Sequence, residues 1–413
     1  MAPARQTMSM PARTAIANAQ APTLDSGTRL LGYELLLPIG KGGMAEVWIA
    51  RTTGELGFSR LVALKTIRPE VGRDPGFRSA FFEEARLAAR LRHANAVDVL
   101  ELGEDGATLF TVMDWIEGVS LAHLLASGPR GGQHLSPAVA VRVVSDLLSG
   151  LHAAHELLDD TGAPLALVHR DVSPHNVLVG IEGVARLTDF GVAKAFGRVA
   201  AETQAGEIRG KPGYFSPEQG AGLPVDRRTD IFAAGIVLFE ALTGRRLFGG
   251  GPASAPLAKL TDRTYPSPDA VVSSVPAPIA KVVNRALAFQ ADERFPTALE
   301  MRDALEAAAL EAMAIATAKD VAEAIQTRCG AELREQQAKL RARLVAGPTR
   351  PSDPAPEQAT VVDKPFDAAA LLDPPPPMPE PAPPASRWPW AIGLTLVIAL
   401  LLAWFWWRDV FTL

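Results

Sequence analysis

The sequence predicts an α+β fold in which a strand-rich first part gives way to a helical second part. Three observations predict it. Between Tyr33 and Gly118, short apolar runs alternate with glycine-containing turns, as in Tyr33–Ile39, Glu46–Ala50, Leu61–Lys65 and Leu109–Gly118. From Pro137 to Leu158 the apolar residues recur at helical spacing (Val141, Val144, Leu147, Leu148, Leu151), and a second apolar helix runs from Asp230 through Leu242. Between these blocks, Val177–Val179 and Val184–Leu187 flank Gly180-Ile181-Glu182-Gly183, which is a hairpin signature.

Composition narrows the function classes. The chain has 413 residues, 48% of them hydrophobic, which is ample for a core. A formal net charge of −5 offers no basic patch, so nucleic acid is not expected as a partner. The single cysteine, Cys329, excludes an internal disulfide framework and fits a reducing compartment. No apolar run follows Met1, so no secretory signal is expected. Residues 1–28 are rich in Ala, Pro, Thr and Gln without a hydrophobic period and read as disordered.

The hairpin carries the chemistry. Asp171 and Asn176 precede its first strand and Asp189 follows its second. A hairpin returns the chain on itself, so these groups can converge, and carboxylate and carboxamide oxygens suit Mg²⁺ with its phosphates. Elsewhere, His152 and His155 share a helix face, but no further metal ligands accompany them, and they read as ordinary helix residues.

His169-Arg170-Asp171 with Asn176, followed by Asp189-Phe190-Gly191, resembles the catalytic loop and metal-binding motif of protein kinases. The wording Val-Ser-Pro-His-Asn is similar to that of bacterial eukaryotic-type serine/threonine kinases. The resemblance implies a bilobal kinase fold over residues 29–309, with a β-rich N-lobe and a helical C-lobe, and it assigns roles. Ile39, Gly40, Lys41, Gly42 and Gly43 would cover the phosphates of ATP, with Ala45 standing where the family pattern has glycine. Lys65, in Val62-Ala63-Leu64-Lys65, would hold the α- and β-phosphates. Its carboxylate partner would be Glu84, which borders the buried stripe Phe81, Ala85, Ala88 and Leu91 of a helix over Phe77–Arg92. Met113 would sit behind the adenine, backbone groups of Asp114 and Ile116 would bond its edge, and Val47, Ala63 and Leu178 would sandwich it. Asp171 would accept the proton of the substrate hydroxyl, while Asn176 and Asp189 bind Mg²⁺ or Mn²⁺. Asp230 is expected to anchor the catalytic-loop backbone, and Arg294 to pair with Glu218.

Two positions depart from the family pattern. Ser173 replaces the lysine usual two residues after the catalytic aspartate, and Lys211 replaces a threonine usual before the substrate-binding turn. The resemblance brings these positions together, so Lys211 is expected to supply the cation missing at Ser173. Thr203 is the only Ser or Thr between Gly191 and Tyr214, and it is the expected autophosphorylation switch, paired with Arg170. Full activity with Thr203 unmodified in phosphopeptide maps would remove that expectation.

The C-terminal part reads as appendages. A helix-rich run from Met301 to about Leu344 puts a helical extension at 310–346, as a cap on the kinase or a short coiled-coil interface. Residues 347–387 form a Pro/Ala-rich linker. Residues 388–407 are uncharged, have tryptophans at both ends and are long enough to cross a bilayer, leaving 408–413 as a short tail. The expectation is an inner-membrane, single-pass kinase with its catalytic domain in the cytoplasm, acting on Ser/Thr hydroxyls of proteins. The alternative is a nucleotide-binding pseudokinase scaffold.

Overall fold

The computed structural model describes residues 24–43, 45–54, 58–128, 134–190, 212–248 and 265–346, the side chains of Glu84 and Pro212 excepted. The predicted linker and span (347–407), Thr203 and Lys211 lie outside the described residues. Among the described residues no helix is long and apolar enough to cross a membrane.

The first lobe is a six-stranded antiparallel sheet built from β1 (Arg29–Leu30), β2 (Tyr33–Lys41), β3 (Ala45–Thr53), β4 (Ser59–Ile67), β5 (Val99–Asp105) and β6 (Thr108–Asp114), in the order β1-β2-β3-β4-β6-β5. Proline cannot donate to a sheet ladder, and Pro38 sits where the β2–β3 register shifts between Pro38 and Gly40. Between β4 and β5 lie the short α1 (Pro69–Gly72) and α2 (Pro75–Ala88). Helix α2 starts two residues before the predicted run because Asp74 caps it, accepting from the Phe77 N–H at 2.7 Å, with Pro75 in the first turn. The predicted stripe Phe81, Ala85, Ala88 and Leu91 is buried, and Phe77 is buried with it.

The second lobe begins with β7 (Gly118–Ser120), α3 (Leu121–Ala126) and α4 (Pro137–His155), then the hairpin β8 (Val177–Gly180) and β9 (Ala185–Leu187). Strands β7, β8 and β9 form a small antiparallel sheet. The helices α5 (Pro217–Gly220), α6 (Arg228–Thr243), α7 (Pro268–Val271), α8 (Ala277–Ala286) and α9 (Ala298–Glu311) complete it. Helix α6 is buried from Thr229 to Thr243, and Gly235 meets α8 where an added Cβ would lie 2.9 Å from Ala286 Cβ.

The predicted single helical run over Met301–Leu344 is two helices, α9 and α10 (Ala318–Ala346). The break has local causes. Met313 adopts a left-handed φ of 51°, and the Ala314 N–H returns to Ala309 O at 2.8 Å. Thr317 and Asp320 then cap the new helix: Asp320 Oδ2 accepts from the Thr317 N–H (2.6 Å) and hydroxyl (2.7 Å). Helix α10 buries Val321, Ile325, Cys329 and Leu333, one every fourth residue, in the core of the second lobe. Farther along, Leu340 is buried against Leu36 and Ile49 of the first lobe, with Leu344 and Trp115 beside it. A helix read as a cap or an interface therefore lies across both lobes.

Candidate active site

A cleft of about 640 Å³ opens between the six-stranded sheet and the helical lobe. Of the residues that the sequence points to, Ile39, Gly40, Val47, Ala63, Lys65, Met113, Asp114, Ile116, Leu178 and Asp189 all line it. Strand geometry explains the convergence. Ala63 and Lys65 are two apart on β4 and share a face, Val47 on β3 stands opposite Lys65, and Met113 on β6 stands opposite Ala63. Leu178 on β8 closes the cleft from the other lobe. Lys41, Gly42 and Gly43 do not line it. They form the tip of the β2–β3 hairpin, where the Gly42 N–H donates to Ala45 O at 2.9 Å and Lys41 pairs with Glu46.

At the polar end, Lys65 Nζ lies 2.5 Å from Asp189 Oδ1, both side chains being largely shielded from solvent. A charge-assisted contact of this kind fixes both groups. Among the described side chains Lys65 is paired with Asp189. Glu84 lies on α2, and its side chain is outside what the structure describes.

The loop before β8 is held from below by a fully buried carboxylate. Asp230 accepts from the His169 N–H and the Arg170 N–H, each at 2.8 Å, and from His155 Nε2 at 2.8 Å. Burial pushes the Asp230 carboxyl up, but the His155 hydrogen bond and the donors of the loop hold it below the ordinary carboxylate value. The anchor sustains an uncommon backbone: Arg170 has φ 66° and Asp189 φ 63°, left-handed values that non-glycine residues rarely adopt.

His169 ties the two motifs together. Its Nδ1 accepts from the Asp171 N–H at 3.3 Å, so Nε2 carries the proton that it donates to Thr188 O at 3.0 Å. Its ring packs on Phe190 at 4.8 Å. Asn176 Nδ2 donates to both Asp171 O and Asp171 Oδ2 at 2.8 Å, and the Thr188 N–H donates to Asn176 O at 2.9 Å. Asp171, Asn176 and Asp189 are thus linked by short hydrogen-bonded steps.

A second buried pair flanks the site. Tyr214 donates its hydroxyl to Glu240 Oε2 at 2.8 Å. Burial, more than the Tyr214 bond and the nearby Arg246 charge can offset, pushes the Glu240 carboxyl up to about 7. An acid whose folded value is raised binds its proton in the native state while the unfolded chain has lost it. Stability attributable to Glu240 therefore falls as pH rises from the unfolded value of 4.5 toward 7. Glu240→Gln is expected to flatten that window, leaving the variant more stable than the parent at pH 8, with an upper bound of about 3 kcal/mol. Urea melts of both proteins at pH 5 and pH 8 check it, and an unchanged difference between the two pH values would refute it.

The sequence reading missed two features. His155, read as an ordinary helix residue, is the buried partner of Asp230. The cleft also has an outer wall contributed by α10, where Glu332, Leu333, Glu335, Gln336 and Lys339 line it. The available signal was the fourfold apolar spacing from Val321 to Leu333, which marks a helix docked on the lobe.

Comparison with known proteins agrees with this geometry. Residues 33–305 match the protein kinase domain family model. The chain is similar to the tyrosine-protein kinase MasK of Myxococcus xanthus, 38% identical over 274 residues, covering 66% of this chain and 42% of that protein. It is 35% identical over 277 residues to the serine/threonine-protein kinase PrkC of Bacillus subtilis (67% and 40% covered). It is also 35% identical over 277 residues to the serine/threonine-protein kinase PknB of Mycobacterium tuberculosis (65% and 42%). The chain thus spans less than half the length of these curated relatives. Among solved structures, the PknI kinase domain of Mycobacterium tuberculosis superposes with a TM-score of 0.54 at 27% identity, over 70% of this chain and 100% of that one.

Proposed function

We propose that this chain, which belongs to the protein kinase family, transfers the γ-phosphoryl group of ATP to serine and threonine hydroxyls of proteins. The observation that carries the proposal is the Lys65–Asp189 contact in a cleft lined by apolar residues, together with an Asp171 carboxylate steadied by Asn176. The apolar residues Val47, Ala63, Met113 and Leu178 suit a flat base, and Lys65 suits phosphate. Asp171 accepts the proton of the attacking hydroxyl. The Asn176 bond to Asp171 Oδ2 fixes the carboxylate for that task, so positioning carries most of the rate enhancement.

Asn176 and Asp189 offer hard oxygen donors, and among the described residues no cluster of three or more His, Cys, Asp or Glu could cage a metal ion by itself. That donor set fits Mg²⁺ or Mn²⁺, which takes its remaining ligands from substrate phosphates and water. When bound, such an ion neutralises phosphate charge. Presence of Lys65, Asp171, Asn176 and Asp189 together supports catalysis over a scaffold role.

The names of PrkC and PknB support serine and threonine as acceptors, whereas the name of MasK supports a second reading, tyrosine. Phosphoamino-acid analysis of the labelled product distinguishes them. Phosphoserine and phosphothreonine are expected, and phosphotyrosine alone would replace the first reading with the second.

Two parts of the proposal rest on sequence. Lys211 supplies the cation that Ser173 does not, so Lys211→Ala is expected to lower kcat by about 10²-fold or more. Near-normal turnover of that variant would remove the assignment. Residues 388–407 anchor the chain in the inner membrane through the 347–387 linker, with the kinase on the ATP-containing side. Membrane association that resists alkaline carbonate should vanish when the chain is ended at Arg387, and its persistence would contradict the anchor.

A further inference from the structure

The lining of the cleft is of three chemical kinds. Val47, Ala63, Met113 and Leu178 are apolar, while Lys65 and Asp189 form a charged pair in the same lining. Elements outside the six-stranded sheet add polar groups, with the apolar Leu333 among them, to the lining. Ser120 and His123 reach it from the start of α3, and Glu332 and Gln336 reach it from α10.

Glu332 and Gln336 are four residues apart and lie on one helix face. Their placement is fixed at both ends. Before Glu332, α10 is sunk into the second lobe through Ile325 and Cys329, Leu333 continues that packing between the pair, and after Gln336 the helix is held against the first lobe through Leu340. Polar ties register the helix along the cleft edge. Arg328 donates to His134 O at 2.6 Å, Gln337 Nε2 donates to Glu117 Oε1, and Glu332 Oε2 pairs with His123 Nε2 at 2.5 Å. The Ser120 hydroxyl in turn caps α3 by accepting from the His123 N–H at 3.2 Å.

A nucleoside phosphate seated with its base among the apolar residues and its phosphates at Lys65 leaves the polar groups of the lining for its sugar. We propose that α10 is part of the nucleotide site, with Glu332 and Gln336 bonding the two ribose hydroxyls. The inference rests on the reading of the cleft as an ATP site. A carboxylate has about four lone-pair positions, so the His123 contact leaves Glu332 able to accept from a vicinal diol, and a carboxamide both donates and accepts. The ribose contact then comes from the C-terminal helix, and nucleotide binding and the docking of α10 support each other.

The test measures Kd for ADP, 2′-deoxy-ADP and 3′-deoxy-ADP on the purified full chain and on three variants: Glu332→Ala, Gln336→Ala and Arg341→Ala. Arg341 is exposed on the same helix and does not line the cleft, so its variant serves as the control. The parent and the control are expected to bind ADP about 5-fold more tightly than either deoxynucleotide, the worth of one hydrogen bond. Glu332→Ala and Gln336→Ala should weaken ADP by about 5-fold while leaving one deoxynucleotide unchanged, so that the preference for its hydroxyl disappears. Uniform weakening of all three nucleotides with a lowered Tm would mean that the residues only support the fold, and would overturn the proposal. So would preferences that persist in both variants. Failure of the parent chain to bind any of the three would instead overturn the ATP-site reading itself.

Discussion

Asp171→Asn is expected to reduce phosphotransfer by about 10²–10⁴-fold while leaving nucleotide affinity within about 2-fold of the parent. The substitution keeps the shape of the side chain, and its carbonyl oxygen can still accept from Asn176 Nδ2, now 2.8 Å from Asp171 Oδ2. What it removes is the capacity to take a proton. Asp171 does not line the cleft that holds the apolar residues and Lys65, so binding and turnover should separate. A variant with turnover within about 3-fold of the parent would show that Asp171 is not the base. Parallel loss of affinity and turnover would point to a folding defect, which a melting curve resolves.

The largest stability effect is expected at Arg294. Its side chain is fully buried and bonds Glu218 twice, at 2.7 and 2.9 Å. It also donates to the carbonyls of Arg228, Ala288 and Phe289, and it packs over the Phe232 ring at 4.8 Å. Arg294→Met preserves much of the volume but takes the cation from Glu218, leaving it the Thr229 hydroxyl, and removes a donor from three carbonyls, a loss of about 3–5 kcal/mol. Burial raises the Glu218 carboxyl, but the Arg294 bonds outweigh it and hold the group below its ordinary value. A depressed acid contributes stability that is present above its unfolded value of 4.5 and is lost as pH falls through the folded one. Arg294→Met should therefore lose that contribution near neutral pH and show a weaker further loss on acidification. Urea melts at pH 7 and pH 4 check both points, and a cost below about 1 kcal/mol would refute the first.

Much of the site was legible because its residues are local in sequence or on regular strands. The twofold alternation of β4 places Ala63 and Lys65 on one face, and the glycine turn after β8 brings Asp189 back toward Asn176. The Asp230 anchor and the Arg294–Glu218 pair were also legible, through the motif resemblance. Contacts between distant segments were harder. Nothing near His155 in the chain marks it as the partner of Asp230, 75 residues away. The Ala/Glu/Leu/Arg-rich composition continues from Met301 to about Leu344 and hid the break before Thr317, where a left-handed Met313 and a Thr–Asp cap redirect the chain. That redirection carries α10 to the cleft, so Glu332 and Gln336 gained their place from a turn that periodicity does not register.

Incubating the purified chain with γ-labelled ATP and Mg²⁺, alone and with a generic basic acceptor protein, separates phosphotransfer from nucleotide binding alone. Label on serine or threonine of either protein, absent in the Asp171→Asn reaction, is the predicted result. A chain that binds ADP with measurable affinity yet leaves itself and the acceptor unlabelled would contradict it, and would make the cleft a nucleotide sensor instead of a phosphotransfer site.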